Sequence, residues 1–168
     1  HWPSLMRGKK LFSQNCVDCH GVSGGGDGAA GKSLTPKPAN FLDDRMKEVS
    51  PFQAFNTIRL GVPGTGMVSF HTLSDREVWD LAFYVVSLRH QKERNGVSSD
   101  LMKTVSLKQV ATSSDEKLIE SLTEKNDTVR LQVVAALRTR SDDDESGGNT
   151  LAIARVQLDE AVIEYQKG

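Results

Sequence analysis

Cys16 and Cys19 stand three positions apart and His20 follows at once, giving Cys-Val-Asp-Cys-His. These 2 cysteines are the chain's whole complement. A disulfide framework uses more cysteines, spread along the chain. A tetrahedral zinc site needs two further ligands at suitable spacing, and His71 and His90 are scattered. A thioredoxin-type redox pair follows a strand in a βαβ setting, whereas residues 4–15 read as a helix. What remains is covalent haem attachment. Two closely spaced thiols add to the two neighbouring vinyl groups of a porphyrin, and the adjacent imidazole then lies on the iron axis.

An iron that carries electrons without binding gases needs a sixth ligand. The candidates are Met6, Met46, Met67, Met102 and the histidines. Met6 precedes the motif on the first helix and reads as a core filler. Met46 lies in an amphipathic segment and also reads as core. Met67 is favoured, because Gly61-Val62-Pro63-Gly64-Thr65-Gly66-Met67 is a loop of little bulk whose backbone can approach a porphyrin closely. His71 is the rival, four residues on, with an ordinary exposed histidine as its plain alternative. His90 ends a helix, where a cationic side chain suits the negative end of the dipole.

The elements that must position these groups are helical. Leu5, Lys9 and Phe12 recur at helical spacing, with Gly8 and Phe12 on one face. The glycine-rich stretch 21–31 is loop. A phosphate-binding reading of those glycines before Lys32-Ser33 fails for want of a preceding strand and proper spacing. Pro36 and Pro38 bracket Lys37 in an extended turn. Pro51 stands at a first helical position, followed by the stripe Phe52, Phe55, Ile58. Ser74-Asp75-Arg76-Glu77 is a capping box opening a helix whose Val78, Leu81, Ala82, Val85 and Leu88 face a core. No strand-like alternation appears, so the class is all-α.

The whole chain has 168 residues and a net charge of −1, with 38% apolar and 6% aromatic residues. Near-neutral charge argues against a nucleic-acid binder. The longest apolar run, 81–86, is far short of the roughly 20 residues of a membrane span. There is no initiating Met and no apolar stretch near the start, which reads as a mature or trimmed piece.

Two regions are expected. Residues 1–95 carry a net +3 and hold every Trp, Phe and Pro, while residues 96–168 carry −4 and hold no Cys or His. Residues 91–100 are polar and read as a linker. In the second region Ser113-Ser114-Asp115-Glu116 reads as a helix cap before Leu118, Ile119 and Leu122. Residues 129–137 form a further apolar-rich helix, and residues 141–149 an acidic, solvated loop. Leu151, Ala154, Leu158, Ala161, Val162 and Tyr165 form a helical stripe.

Residues from about 4 to 90 resemble a class I cytochrome c. The helix with Gly8 and Phe12, Cys16-Val17-Asp18-Cys19-His20-Gly21, the Met67 loop and a closing helix with Trp79 and Tyr84 come in the family's order. The resemblance implies a helical haem wrap whose first and last helices cross near Gly8. It also implies one covalently held haem c, thioether bonds at Cys16 and Cys19, and His20 and Met67 as axial ligands. A proline carbonyl usually fixes the proximal imidazole in that family, and Pro36 or Pro38 is the expected source. One departure is Val68, where many members have Pro directly after the ligand Met.

A narrower resemblance rests on Leu34-Thr35-Pro36-Lys37-Pro38-Ala39-Asn40-Phe41, Phe55-Asn56-Thr57-Ile58 and the Met67 loop. These are similar to the cytochrome domain fused ahead of some bacterial high-affinity iron permeases. The resemblance implies a periplasmic, single-electron carrier rather than an enzyme, with a redox partner protein. It extends to Fe(II) oxidation during iron uptake by an attached permease, to which the second region would be the lead-in. A free-standing periplasmic shuttle between respiratory proteins is the alternative. A gas-binding or peroxidatic haem protein, which needs an open iron site, is the more distant one. Arg59 or Lys37 is placed to pair with a haem propionate, with an ordinary surface ion pair as the equally good reading.

Overall fold

The computed structural model describes residues 2–91 and 102–141. Among them all regular structure is helical, α or 3-10, so the all-α class holds. Most of the expected linker, the acidic run 142–149 and the stripe from Leu151 to Tyr165 lie outside the described residues, as does the expected boundary at 95/96.

Helix α1 (Leu5–Asn15) starts where Ser4 accepts a hydrogen bond from the Arg7 amide, and it buries Gly8 and Phe12. Helix α2 (Val17–His20) is the single turn that carries the thiol and imidazole groups. Helix α3 (Pro51–Leu60) opens with a capping box between Ser50 and Gln53 and has Pro51 in its first turn. Helix α4 (Asp75–Ser87) opens with the expected box between Ser74 and Glu77.

Helices α1 and α4 cross at Gly8. A Cβ there would overlap the Asp80 carbonyl and the Tyr84 Cβ, so only a glycine lets the two backbones approach this closely. Asp80 locks the crossing from beneath, accepting from the Ser4 amide at 2.7 Å and from Arg7 Nε at 2.7 Å. Phe12 meets Tyr84 at 5.4 Å between ring centroids. On another side Phe55 of α3 packs on Trp79 at 4.6 Å.

The second region joins the same core. Helices α5 (Leu107–Thr112), α6 (Asp115–Ser121) and α7 (Asp127–Arg138) each start at a side-chain cap, from Ser106, Ser114 and Asn126. Leu107, Val110, Leu118, Val133, Val134 and Leu137 are buried in one cluster with the residues of α1, α3 and α4. Helix α5 packs on α3 and α7 on α4. The sequence predicts one apolar face for α4, but every residue from Val78 to Ser87 is buried. With α1, α3 and α7 all against it, no side of the helix is left to solvent.

A buried ionic clasp closes this junction. Asp115 Oδ1 accepts from Arg138 Nε at 2.8 Å, and Oδ2 accepts from Arg89 Nε and from His90 Nε2, each at 2.9 Å. Arg138 also donates to the carbonyls of Val110 at 2.5 Å and Ser113 at 2.6 Å. Burial alone would raise the Asp115 carboxyl. The His90 hydrogen bond and the charges of Arg138 and Arg89 outweigh it and hold the group well below the usual carboxylate range. His90 ends the helical stretch as expected, and its buried ring is also a hydrogen-bond partner of Asp115 between the two regions. At the other end of the junction, Ser141 Oγ accepts from the Leu5 amide at 2.9 Å, and the Arg140 guanidinium lies 4.6 Å from the centre of the Trp2 ring.

Candidate haem-attachment site

The backbone of the motif is a tight turn. The amides of Cys19 and His20 both donate to the Cys16 carbonyl, at 3.3 and 2.8 Å. This places Cys16, Cys19 and His20 together on one short element, as their spacing requires. Both cysteines are free thiols and half-buried. Burial, with the nearby Cys19 adding to it, pushes the Cys16 thiol up to about 12.

The glycine-rich loop wraps onto this turn. A Cβ on Gly28 would overlap the Asp18 carbonyl, and one on Gly31 would come within 2.5 Å of the Cys19 carbonyl. The Gly26 amide donates to the His20 carbonyl at 2.8 Å, and the Gly28 amide to that of Cys19 at 3.2 Å. The loop therefore satisfies the backbone acceptors that so short a helix leaves open.

His20 is held by the segment that follows. Its Nδ1 lies 3.0 Å from the Ala39 carbonyl oxygen. A carbonyl only accepts, so the proton sits on Nδ1 and the lone pair on Nε2. Burial lowers the imidazole's pKa, against the Ala39 hydrogen bond, and favours this neutral form. Ala39 thus replaces Pro36 and Pro38 as the fixing carbonyl. The Pro38 carbonyl faces Gly26 instead, 2.8 Å from where a Cβ would stand. The Phe41 ring stacks on the imidazole, with centroids 4.6 Å apart and planes 20° apart.

Met67 lies on a separate loop, half-buried against the common core. Its carbonyl accepts from the Val62 amide at 2.9 Å, and its own amide donates to Thr65 Oγ1 at 3.1 Å. Gly61 turns the chain with a φ of 69°, and a Cβ there would stand 2.7 Å from the Met67 carbonyl. The Leu34 side chain lies against Gly66, so this loop meets the segment that leads to Ala39.

Met46 and Met102 are placed like Met67 with respect to the core, while the other candidates differ. His71 is exposed, and Met46 and Met102 are half-buried against the core. Met6 is 69% exposed rather than a core filler, because α1 turns Gly8 and Phe12 inward and Met6 out. Arg59 is engaged within the protein, donating to the Leu73 carbonyl at 2.6 Å and to Asp75 Oδ1 at 2.5 Å. Lys37 donates to the Lys32 carbonyl. Sequence reasoning missed Ala39 and Phe41 as partners of the imidazole. The only available signal was their place, two residues apart, just after Pro38.

One nitrogen lone pair, two thiols and one thioether suit covalent haem attachment with imidazole and thioether ligation, and the residues fit that group. Comparison with known proteins gives a match to the family model described as Cytochrome c over residues 5–89. Comparison with curated proteins gives no match. Among solved structures, a chain of the reducing HAO-like protein complex of Kuenenia stuttgartiensis aligns with a TM-score of 0.47 and 15% identity, covering 82% of this chain and 96% of that one.

Proposed function

The chain belongs to the cytochrome c family, whose members carry covalently bound haem for electron transfer, and on that premise we propose that it is a monohaem electron carrier. In this reading Cys16 and Cys19 hold the haem through thioether bonds, and His20 and Met67 are its axial ligands. The observation that carries it is the state of His20: Nδ1 is committed to the Ala39 carbonyl, and Nε2 keeps its lone pair for a metal.

Haem so bound supplies a one-electron iron couple. The protein's part is to hold both ligands in place through a change of one charge. The Ala39 carbonyl keeps the imidazole in a single tautomer, and the bonds of Val62 and Thr65 brace the loop behind Met67. A thioether opposite an imidazole favours ferrous iron and raises the potential. Were His20 and Met67 both to ligate the iron, no position on it would be left for a substrate, and the chain would act as a carrier. Leu60, Val62 and Val68 are exposed apolar residues on or next to the Met67 loop, and apolar surface of this kind suits a redox partner.

The similarity of residues 34–67 to permease-linked cytochromes supports a narrower form of the proposal. There Fe(II) is the electron source, its oxidation is coupled to uptake through an attached permease, and the location is periplasmic. The free-standing periplasmic shuttle stays the alternative.

The deciding experiment is carbon monoxide binding to the reduced holoprotein. The wild type should take up carbon monoxide slowly or not at all, and Met67→Ala should bind it readily at a lowered potential. Ready binding by the wild type would overturn the assignment of Met67 and favour a gas-binding or peroxidatic role. Anaerobic mixing of the ferric protein with Fe(II) tests the narrower form: saturable haem reduction supports it, and a slow rate linear in Fe(II) returns the reading to a general shuttle.

A further inference from the structure

Resting on the reading that His20 ligates the haem iron, we propose that Phe41 is a positioning residue that sets the plane of this imidazole. Two contacts from one short segment meet the ring. The Ala39 carbonyl takes its Nδ1–H edge at 3.0 Å. The Phe41 ring covers its face, with centroids 4.6 Å apart and planes 20° apart. Asn40 between them turns away, donating from Nδ2 to Asp43 Oδ1 at 3.0 Å. The hydrogen bond alone leaves the imidazole free to rock about the axis of that bond. A stacked ring removes this freedom, because rocking would drive one flat surface into the other.

Phe41 is itself well fixed. It is 9% exposed, and its amide donates to the Gly24 carbonyl at 2.8 Å. Its ring meets Phe12 edge-on at 6.2 Å. Gly24, with a φ of 79°, brings its backbone so close that a Cβ would stand 3.0 Å from the Phe41 ring and 2.7 Å from Leu88. The chain from Phe12 through Phe41 to His20 therefore ties the imidazole plane to α1 and the core.

The orientation of an axial imidazole decides which iron d orbitals it overlaps, and the g values of a low-spin ferric haem report that orientation. The test uses the full-length holoprotein with Phe41→Leu, which keeps an apolar side chain but no flat ring, and Phe41→Tyr, which keeps the ring. Phe41→Leu should change the g-value spread or add a second low-spin species, and it should shift the reduction potential. Phe41→Tyr should return both to the wild-type values. Wild-type g values in a folded Phe41→Leu protein would overturn the proposal. If that variant fails to take up haem, nuclear Overhauser contacts between the Phe41 and His20 rings in the ferrous wild type decide the matter, and their absence overturns it. A His20→Ala protein that kept the wild-type low-spin spectrum would instead overturn the axial role of His20, and with it the reading on which this inference rests.

Discussion

Among the described residues, two of the places where polar groups are buried are built in opposite ways. Around His20 the polar group is a neutral ring with one nitrogen bonded to a backbone carbonyl, and the surrounding polar atoms are mostly main chain. Around Asp115 the partners are two arginines and a histidine, and both carboxylate oxygens are taken. The first arrangement keeps a lone pair for something beyond the chain. The second spends its acceptors on the protein itself. The contrast teaches how to tell a site from a fastening: a site is held by groups that leave its reactive atom alone, whereas a fastening closes on itself.

The sharpest way to break this comparison is to remove the thiols. Cys16→Ala with Cys19→Ala should abolish covalently bound haem completely, read as loss of haem staining on a denaturing gel. The ionic clasp should not matter to that result. Asp115→Ala comes next and should act on the other arm alone. It leaves Arg89 and Arg138 buried without their carboxylate, which costs about 3–5 kcal/mol and is read by thermal or denaturant unfolding. The haem spectrum of the protein that remains folded should be unchanged. A shifted haem spectrum there would show that clasp and site are one unit.

The clasp also gives a pH signature of its own. The folded Asp115 carboxyl lies below its ordinary value of about 4. Its contribution to stability is therefore full above about pH 4 and is lost as the pH falls through the folded value. Asp115→Asn should flatten the acid limb of a stability-against-pH curve. A wild-type limb in that variant would assign acid unfolding to other carboxyls.

How much of this was legible in the sequence follows the same division. Cys-Val-Asp-Cys-His, Pro51 at a first helical position and the capping box at Ser74 are local, set by residues within a few positions of one another, and the structure places those helix starts as expected. The Gly8 crossing was legible through the family resemblance. The clasp was not. Asp115 follows a helix cap and looks like an ordinary first-turn acid, yet it is 3% exposed. Its burial depends on Arg138, 23 positions away, and on Arg89, 26 positions away. Ala39 illustrates a different blindness: its part is played by a carbonyl oxygen, which every residue has, so no side-chain pattern marks it. Phe41 was visible as an aromatic but not as a ring facing an imidazole, because that requires knowing how the loop after Pro38 folds back.

A weaker test addresses the first region alone. Gly8→Ala puts a Cβ against the Asp80 carbonyl at the helix crossing, and overpacking of this kind costs about 1–3 kcal/mol. Because Asp80 and Tyr84 belong to α4, the variant should loosen the first region, and its melting point should fall by less than that of Asp115→Ala.

The smallest effect belongs to Arg140. Its guanidinium covers the Trp2 ring at 4.6 Å, and Trp2 meets Phe83 edge-on at 6.2 Å. The pair therefore carries the second region onto α4 at Phe83. Only partial burial surrounds it, so the interaction is worth about 0.5–1 kcal/mol. Arg140→Ala should lower stability by that amount, and Arg140→Lys should recover part of it, since an ammonium still meets the ring but without the flat stacking of a guanidinium. In a cycle with Asp115→Ala the two losses should add, because the pairs share no partner. Clear non-additivity would mean that the two ends of the junction open together, and residues 102–141 would then act as a single lever on α4 instead of two separate fastenings.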